Sequence, residues 1–237
     1  MIVYGRNPVR EALRGRREVS RVWATASAAR EGWLSAVGPD VVDADEIEQL
    51  SGTREHQGVC ADTGSYPYAS AEGLLVEEDA LVLALDEVTD PHNLGAVCRV
   101  AESAGASGLV IPERRSAEVT PAVCKASAGA VEHLAVARVP NLAKWLARIK
   151  EEGGAWVYGA AISDDAVPYD QPDYRGKAVL VLGSEGKGLR PGVLAACDVL
   201  IALPQRGRID SLNVSAAAAA LVYGILHLRA KGVDGGT

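Results

Sequence analysis

AVLVLGSEGKGL, residues 178–189, is the stretch on which the fold turns. It begins as an unbroken apolar run and passes directly into Leu182-Gly-Ser-Glu-Gly-Lys-Gly-Leu189. A strand with one wet face alternates apolar and polar residues, so an unbroken run points to a strand covered on both faces. Working outward, five more runs have this character: 81–86 (LVLALD), 107–111 (SGLVI), 134–139 (LAVARV), 155–161 (AWVYGAA) and 199–203 (VLIAL). Helical patterns separate them. One opens at Asn93; a second starts at Thr120-Pro121, a capping residue followed by proline at the first helical position. A third runs from Asn141 to Glu152 and stops at Gly153-Gly154. The last spans Asn213 to Lys231 and is closed by Gly232. Strand and helix in alternation mean an α/β fold on a parallel sheet.

Upstream, the first 65 residues read as a small α/β unit. Pro8 opens a helix through Val9 and Leu13 to Gly15, and Val19–Thr25 reads as a strand. Asp43 or Asp45 caps a short helix through Ile47 and Leu50, and Gln57–Ala61 reads as a second strand. Thr63–Gly73 is rich in small and turn-forming residues. The expected organisation is therefore a unit over 1–65, a linker over 66–78 and a larger unit over 79–237.

Composition bounds the function classes. The chain has 237 residues, 48% hydrophobic, too apolar for a disordered chain. No run approaches the ~18 apolar residues of a membrane span, and Met1–Arg10 lacks the apolar stretch of an export signal. Cys60, Cys98, Cys124 and Cys197 form no CxxC pair and have no neighbouring histidine cluster, so neither a metal site nor a disulfide framework is expected. Reduced thiols in a cytoplasm fit better. The net charge of −7 argues against a polyanionic partner, but its distribution does not: residues 1–30 hold seven arginines and two glutamates, whereas 31–90 hold one arginine and fifteen acids. A basic leading segment is a candidate phosphate contact or simply a solvated helix face.

Ligands of parallel α/β sheets bind beyond the carboxyl ends of the strands, and three segments there stand out. In Asp86–Arg99, Leu94, Val97, Cys98, Ala101 and Ala104 make one buried stripe. Arg99 lies off that stripe, with Gly95 one turn earlier leaving room for a ligand; the bland alternative pairs Arg99 with Glu102. In Leu182–Leu189, three glycines in six residues permit close backbone approach or positive φ. The spacing fits neither a P-loop nor a dinucleotide fingerprint. In Ala202–Ser215, Ser211, Asn213 and Ser215 stud the entry to an alanine-rich helix, where capping accounts for one of them.

Asn93-x-Gly95-x-x-x-Arg99, Gly183-x-Glu185-x-x-Gly188-Leu189 and Ser211-Leu-Asn-Val-Ser215, in that order, resemble the three motifs of the SpoU (TrmH-type) RNA 2′-O-ribose methyltransferases, a branch of the SPOUT superfamily. Tyr4–Leu13 and His56-Gln-Gly-Val59 resemble the small L30e-like substrate-binding domain of members acting on large-subunit rRNA guanosine. The resemblance implies a parallel-sheet catalytic domain with a C-terminal deep trefoil knot, a homodimer through that domain, and S-adenosylmethionine held by loops Gly183–Leu189 and Leu203–Val214. It places Arg99 at the catalytic position, with Asn93, Glu185, Ser211 and Asn213 as polar partners. Gly183, Gly188, Leu189, Leu203 and Leu212 fall at cofactor contacts, and Arg6, Arg10 and Arg14 are the expected RNA contacts.

The implied reaction is attack of a ribose 2′-hydroxyl on a sulfonium methyl. A guanidinium stays protonated in ordinary settings, so stabilising and orienting the 2′-oxygen suits Arg99 better than general-base duty. The implied target is a guanosine of 23S rRNA. A tRNA 2′-O-methyltransferase, an antibiotic-resistance rRNA methyltransferase and a non-catalytic RNA-binding assembly factor are the alternatives.

Overall fold

The computed structural model describes residues 1–208 and 211–234. The leading unit contains β1 (Ile2–Tyr4), α1 (Arg6–Arg14), β2 (Val19–Ala24), α2 (Gly32–Ser35), β3 (Asp40–Val41), α3 (Ala44–Ser51) and β4 (Val59–Thr63). Its sheet runs β1-β4-β2-β3, with β4 antiparallel to both β1 and β2, and β3 parallel to β2. Asp43 caps α3 by accepting from the Glu46 amide, and Gly52 closes it in the left-handed region. Helix α1 starts two residues before Pro8, after Gly5 at φ 93°. The sequence reading missed β1 and β3, which are too short to carry a pattern.

The larger unit contains β5 (Leu81–Asp86), α4 (Pro91–Ser103), β6 (Gly108–Pro112), α5 (Pro121–Ala126), β7 (Val136–Val139), α6 (Leu142–Gly153) and β8 (Trp156–Ala160). It continues through β9 (Val167–Pro168), β10 (Ala178–Gly183), α7 (Pro191–Leu194), β11 (Val199–Ala202) and α8 (Val214–Asp234). All seven strands are parallel, in the order β7-β6-β5-β10-β8-β11-β9. The six apolar runs are six of these strands. Strand β10 lies between β5 and β8, fully buried from Ala178 to Leu182 as its unbroken pattern requires.

Several element ends differ from the sequence reading. Helix α4 begins at Pro91, not Asn93, because the Asp90 side chain accepts from the His92 amide ahead of a first-turn proline. Thr120 precedes α5 without a side-chain cap, and its Oγ1 is buried without a partner. Helix α8 continues past Gly232 to Asp234. Arg229 lies near the end of α8. It donates to the carbonyls of Asp79, Tyr174 and Gly176 at 2.6–2.9 Å, tying α8 to the sheet, and burial holds its pKa below the usual value.

The segment expected as a linker is strapped to the larger unit. Tyr66 Oη donates to the carbonyls of Val131 and Leu134, Tyr68 Oη accepts from the Val119 amide, and Ala69 bridges to Ala137. Leu74 and Leu75 are buried. One apolar core runs from Val3, Val9 and Val22 into Leu94, Val97 and Cys98, so the two sheets share packing. Arg17 sits at their junction, buried against Glu132, with its Nε 2.8 Å from Oε2 and Nη1 donating to Thr63 Oγ1. A second core, on the other face of the large sheet, gathers Leu142, Trp145, Leu146 and Ile149 of α6. Among the described residues no helix is long and apolar enough to cross a membrane.

Candidate active site

Strands β5, β10, β8 and β11 are neighbours, so their carboxyl ends and following loops converge. A cavity of about 540 Å³ opens there, lined by Ala160–Ile162 at the end of β8, Leu182–Gly188 at the end of β10, Ile201–Leu203 and Gln205 at the end of β11, and the entry to α8. That volume is within the range of ordinary small-molecule sites. Gly183, Gly188, Leu203, Ser211 and Leu212 all line it. Leu189 does not: it is buried on the α6 side of the sheet, against Gly159.

The loop after β10 is a tight reversal. The Gly188 amide donates to the Ser184 carbonyl at 2.9 Å, and Gly186 and Gly188 take positive φ. A Cβ on Gly183 would lie 2.3 Å from the Gly188 carbonyl. The close approach inferred for Gly183 is therefore made first by the chain itself, as the loop folds back on its own strand.

Three polar side chains, far apart in sequence, meet at the cavity rim. Asn93 Nδ2 donates to Glu185 Oε1 at 2.9 Å. Asn213 Nδ2 donates to Asn93 Oδ1 at 2.9 Å and to Glu185 Oε1 at 2.5 Å. Asn213 also caps α8, its Oδ1 accepting from the Ser215 amide and hydroxyl. One side chain thus ends a helix and closes a network, which answers why capping accounted for a single residue of that segment. Ile209 and Asp210, which precede Ser211 in the sequence, lie outside the described residues.

The structure does not bring Arg99 to this network. Arg99 is exposed on α4, six residues beyond Asn93, which places it ~9 Å further along the axis and well round the helix. No ion pair joins it to Glu102 or to any other acid among the described residues. Gly95 does not make room for a ligand. A Cβ there would lie 2.5 Å from Ala126 Cβ and 2.9 Å from the Ser127 amide, so this glycine lets α5 close onto α4.

Sequence reasoning missed a pair that holds the loop. Asp86, at the end of β5, is fully buried. It accepts from the Arg190 amide and Nε, each at 2.8 Å, and Nη2 completes the ion pair at 2.7 Å. Arg190 also approaches Glu87 at 3.4 Å. The hydrogen bond that Arg190 donates to Asp86, with the carboxylate's charge, raises the Arg190 pKa against the effect of burial. The available signal was a lone acid closing an otherwise apolar strand, LVLALD.

The basic leading segment is only partly free. Arg6, Arg10 and Arg14 lie along α1 with their side chains at the surface, but Arg6 pairs with Glu31, and Arg10 and Arg14 with Glu11. Arg17 is withdrawn into the core, and Arg21 pairs with Asp40. All four thiols are pushed up by burial, Cys60 and Cys197 to about 11 and Cys124 to about 12, so none is poised as a nucleophile. No metal-ligating cluster occurs among the described residues.

Comparison with known proteins sets this geometry in a family. Residues 80–223 match the SpoU rRNA methylase family, and residues 2–69 match the substrate-binding domain of RNA 2′-O ribose methyltransferases. A 23S rRNA (guanosine-2′-O-)-methyltransferase of Acinetobacter baylyi, RlmB, is 40% identical over 183 residues, covering 76% of this chain and 74% of that protein. A Synechocystis protein named as an uncharacterized tRNA/rRNA methyltransferase is 37% identical over 242 residues. That match takes in 96% of this chain, which spans only 62% of the relative's length. The crystal structure of an AdoMet-bound rRNA methyltransferase from Sinorhizobium meliloti superimposes with a TM-score of 0.78 at 25% identity, over 95% of this chain and 86% of that one. With one residue from each of three separated motifs joined at the cavity rim and a family match over most of its length, the chain belongs to the SpoU rRNA methylase family.

Proposed function

We propose that the protein methylates a ribose 2′-hydroxyl of RNA with S-adenosylmethionine as donor, at a guanosine of large-subunit rRNA. The observation that carries this reading is the Asn93–Glu185–Asn213 network on the rim of the cavity at the ends of β8, β10 and β11. The guanosine target rests on the likeness to the Acinetobacter enzyme, and the donor on the family and on the Sinorhizobium likeness.

The cavity suits such a donor. Its wall combines apolar side chains, Leu203 and Leu212, with the glycine-lined turn at Gly183 and Gly188. A buried side chain at Gly183 is excluded by the loop's own geometry, so the wall there is backbone. When bound, the donor supplies an electrophilic methyl on a sulfonium. The remaining work falls to this chain. Asn93 and Asn213 fix the Glu185 carboxylate, and Ser211 presents a hydroxyl on the same wall. Arg99, exposed and without an ion pair among the described residues, offers a planar set of donors to the 2′-oxygen as negative charge develops on it. Its exposure leaves the guanidinium free to meet RNA.

The leading unit, residues 1–65, is the RNA-binding part in this reading, with Arg6, Arg10 and Arg14 facing phosphate and residues 66–78 connecting it to a catalytic part over 79–237. We infer that the path from β10 through α8 forms a deep trefoil knot. Support comes from β10 lying between the earlier strands β5 and β8, and from α8 returning from β11 to pack on α4. We infer a homodimer through the catalytic part, since Leu212 and Tyr223 present large apolar groups at the surface beside that packing. A cytoplasmic site of action suits these free thiols, three of them buried.

Transfer of labelled methyl from S-adenosylmethionine to purified rRNA and to tRNA tests the reading, with ribose methylation mapped by resistance to alkaline cleavage. Label confined to one large-subunit guanosine is the expected result. Label in tRNA alone would overturn the target, and absence of transfer to either would overturn the reaction.

A further inference from the structure

Helix α1 rests on a short segment of the larger unit, residues 129–133, where Gly129 leads into a single 3-10 turn, Ala130–Glu132. Asn7, Glu11 and Gly15 recur every four residues and so stack along one side of α1. All three meet that segment. A Cβ on Gly129 would lie 2.6 Å from Glu11 Cβ and 3.1 Å from the Asn7 carbonyl oxygen, and a Cβ on Gly15 would lie 2.9 Å from Glu132 Cβ. One glycine on each side of the contact thus lets the two units approach more closely than any side chain allows.

Charged groups lock the same contact. Arg17 is buried against Glu132, and His133 Nε2 lies 3.0 Å from Glu11 Oε2. The Glu11 carboxylate also accepts from Arg10 Nε at 3.1 Å and lies 3.5 Å from Arg14 Nη1. Arg10 and Arg14 are therefore aimed by an acid that the larger unit itself holds, and two guanidiniums on one carboxylate leave positive charge for a phosphate. Residues 129–133 pack in turn on α4, the helix that carries Asn93 and Arg99. From the arginine row to the active site the path runs through packed elements, which transmit displacement because they compress little. On a loose tether the same arginines would raise RNA affinity without choosing a ribose.

We propose that residues 129–133 are a register seat: they fix the arginine row of α1 relative to the active site, and so select which ribose of a bound RNA meets the methyl donor. The proposal rests on the reading of the chain as an RNA ribose methyltransferase with α1 at phosphate. Glu11, Gly15, Gly129 and Glu132 are positioning residues, since none of them lines the cavity. Carbon atoms in contact sit ~3.5 Å apart or more, so a Cβ on Gly129, starting 2.6 Å from Glu11 Cβ, opens the seat by roughly 0.9 Å. A misplacement of about 1 Å far from the chemistry costs on the order of 100-fold in rate.

The test compares two wedge variants, Gly129→Ala and Gly15→Ala, with Arg14→Ala in the full-length chain. Gly129 has φ 89°, where a side chain is strained, whereas Gly15 at φ −80° takes alanine without that strain, so the second variant stands if the first folds poorly. Each is measured for thermal melting, S-adenosylmethionine affinity, affinity for a large-subunit rRNA transcript, transfer rate at saturating RNA, and the position of the new 2′-O-methyl group. Both wedge variants should hold the transcript and the cofactor as wild type does. Transfer to the target ribose should fall, on the order of 100-fold for Gly129→Ala and less for Gly15→Ala, with label appearing on flanking riboses. Arg14→Ala should instead weaken binding and lower its salt slope while keeping the wild-type position. Unchanged rate and position in both wedge variants would overturn the proposal. So would a loss confined to RNA affinity, or one that only tracks cofactor affinity or melting, as a merely structural contact would give. If the wild-type protein methylates no RNA, the proposed function falls and this role with it; if it methylates one ribose and the wedge variants do so equally well, the seat alone falls.

Discussion

Arg190→Ala should be among the more damaging single substitutions near the active site, and more damaging than Asp86→Ala. Asp86 has no solvent exposure and takes two hydrogen bonds and an ion pair from Arg190. Removing the guanidinium leaves a buried carboxylate with the Arg190 amide as its remaining donor in that pair. Breaking a buried pair from one side costs about 3–5 kcal/mol, because the remaining charge is uncompensated. In a chain of this size that is a fall in melting temperature of roughly 6–20 °C. Removing Asp86 leaves instead an arginine whose side chain is 39% exposed, which can turn to water. Its cost should be about 1–2 kcal/mol, mainly lost hydrogen bonding. The double variant should recover much of the loss in Arg190→Ala. Since Arg190 follows the Gly183–Leu189 loop directly, Arg190→Ala should also weaken S-adenosylmethionine binding. Thermal and urea melts of the three variants, with calorimetric cofactor titration, are the assays. Asp86→Ala equal to or worse than Arg190→Ala would refute the reasoning, because the asymmetry follows from where each charge is left.

Arg99→Ala should abolish methyl transfer while leaving cofactor binding and melting temperature at wild-type values, since the side chain is exposed and makes no ion pair among the described residues; Arg99→Lys should fail as well, a point charge being a poor substitute for a planar fork. Both are read by tritiated methyl transfer beside calorimetry, and transfer at wild-type rate would remove Arg99 from the mechanism. Gly183→Val should lose cofactor binding outright, because its Cβ would fall 2.3 Å from the Gly188 carbonyl; titration at saturating protein checks this, and unchanged affinity would contradict the loop geometry. Reversal of Arg6, Arg10 and Arg14 to Glu should weaken RNA binding and lower its salt slope without touching cofactor affinity, an outcome that filter binding across a salt series can deny. Light scattering at micromolar concentration should give twice the chain mass, and an active monomer would exclude the dimer.

What the amino-acid sequence determined by itself is the local part of this protein. Six unbroken apolar runs became six strands because residues covered on both faces leave no room for alternation. Asp43 and Asn141 cap their helices, and Gly154 ends one, through contacts spanning only a few residues. The motif residues were also legible, as glycines and polar groups at strand ends.

Only the tertiary structure decided what those residues do to one another. That Asn93, Glu185 and Asn213 share one network depends on β10 inserting between β5 and β8, a choice of strand order that no local pattern encodes. Gly95 looked like space for a ligand and is instead the contact where α5 packs, since a missing side chain reads the same whichever neighbour fills the space. Arg17 read as one more surface cation; Glu132, 115 positions away, draws it into the core. Residues 66–78 read as a tether because their composition suits a turn, whereas Tyr66 and Tyr68 find acceptors and donors on the larger unit only once it has folded. Backbone preference acts over a few residues and is written in order along the chain. Pairing, burial and close approach are settled by whichever distant segment arrives alongside, and that is a property of the packed molecule.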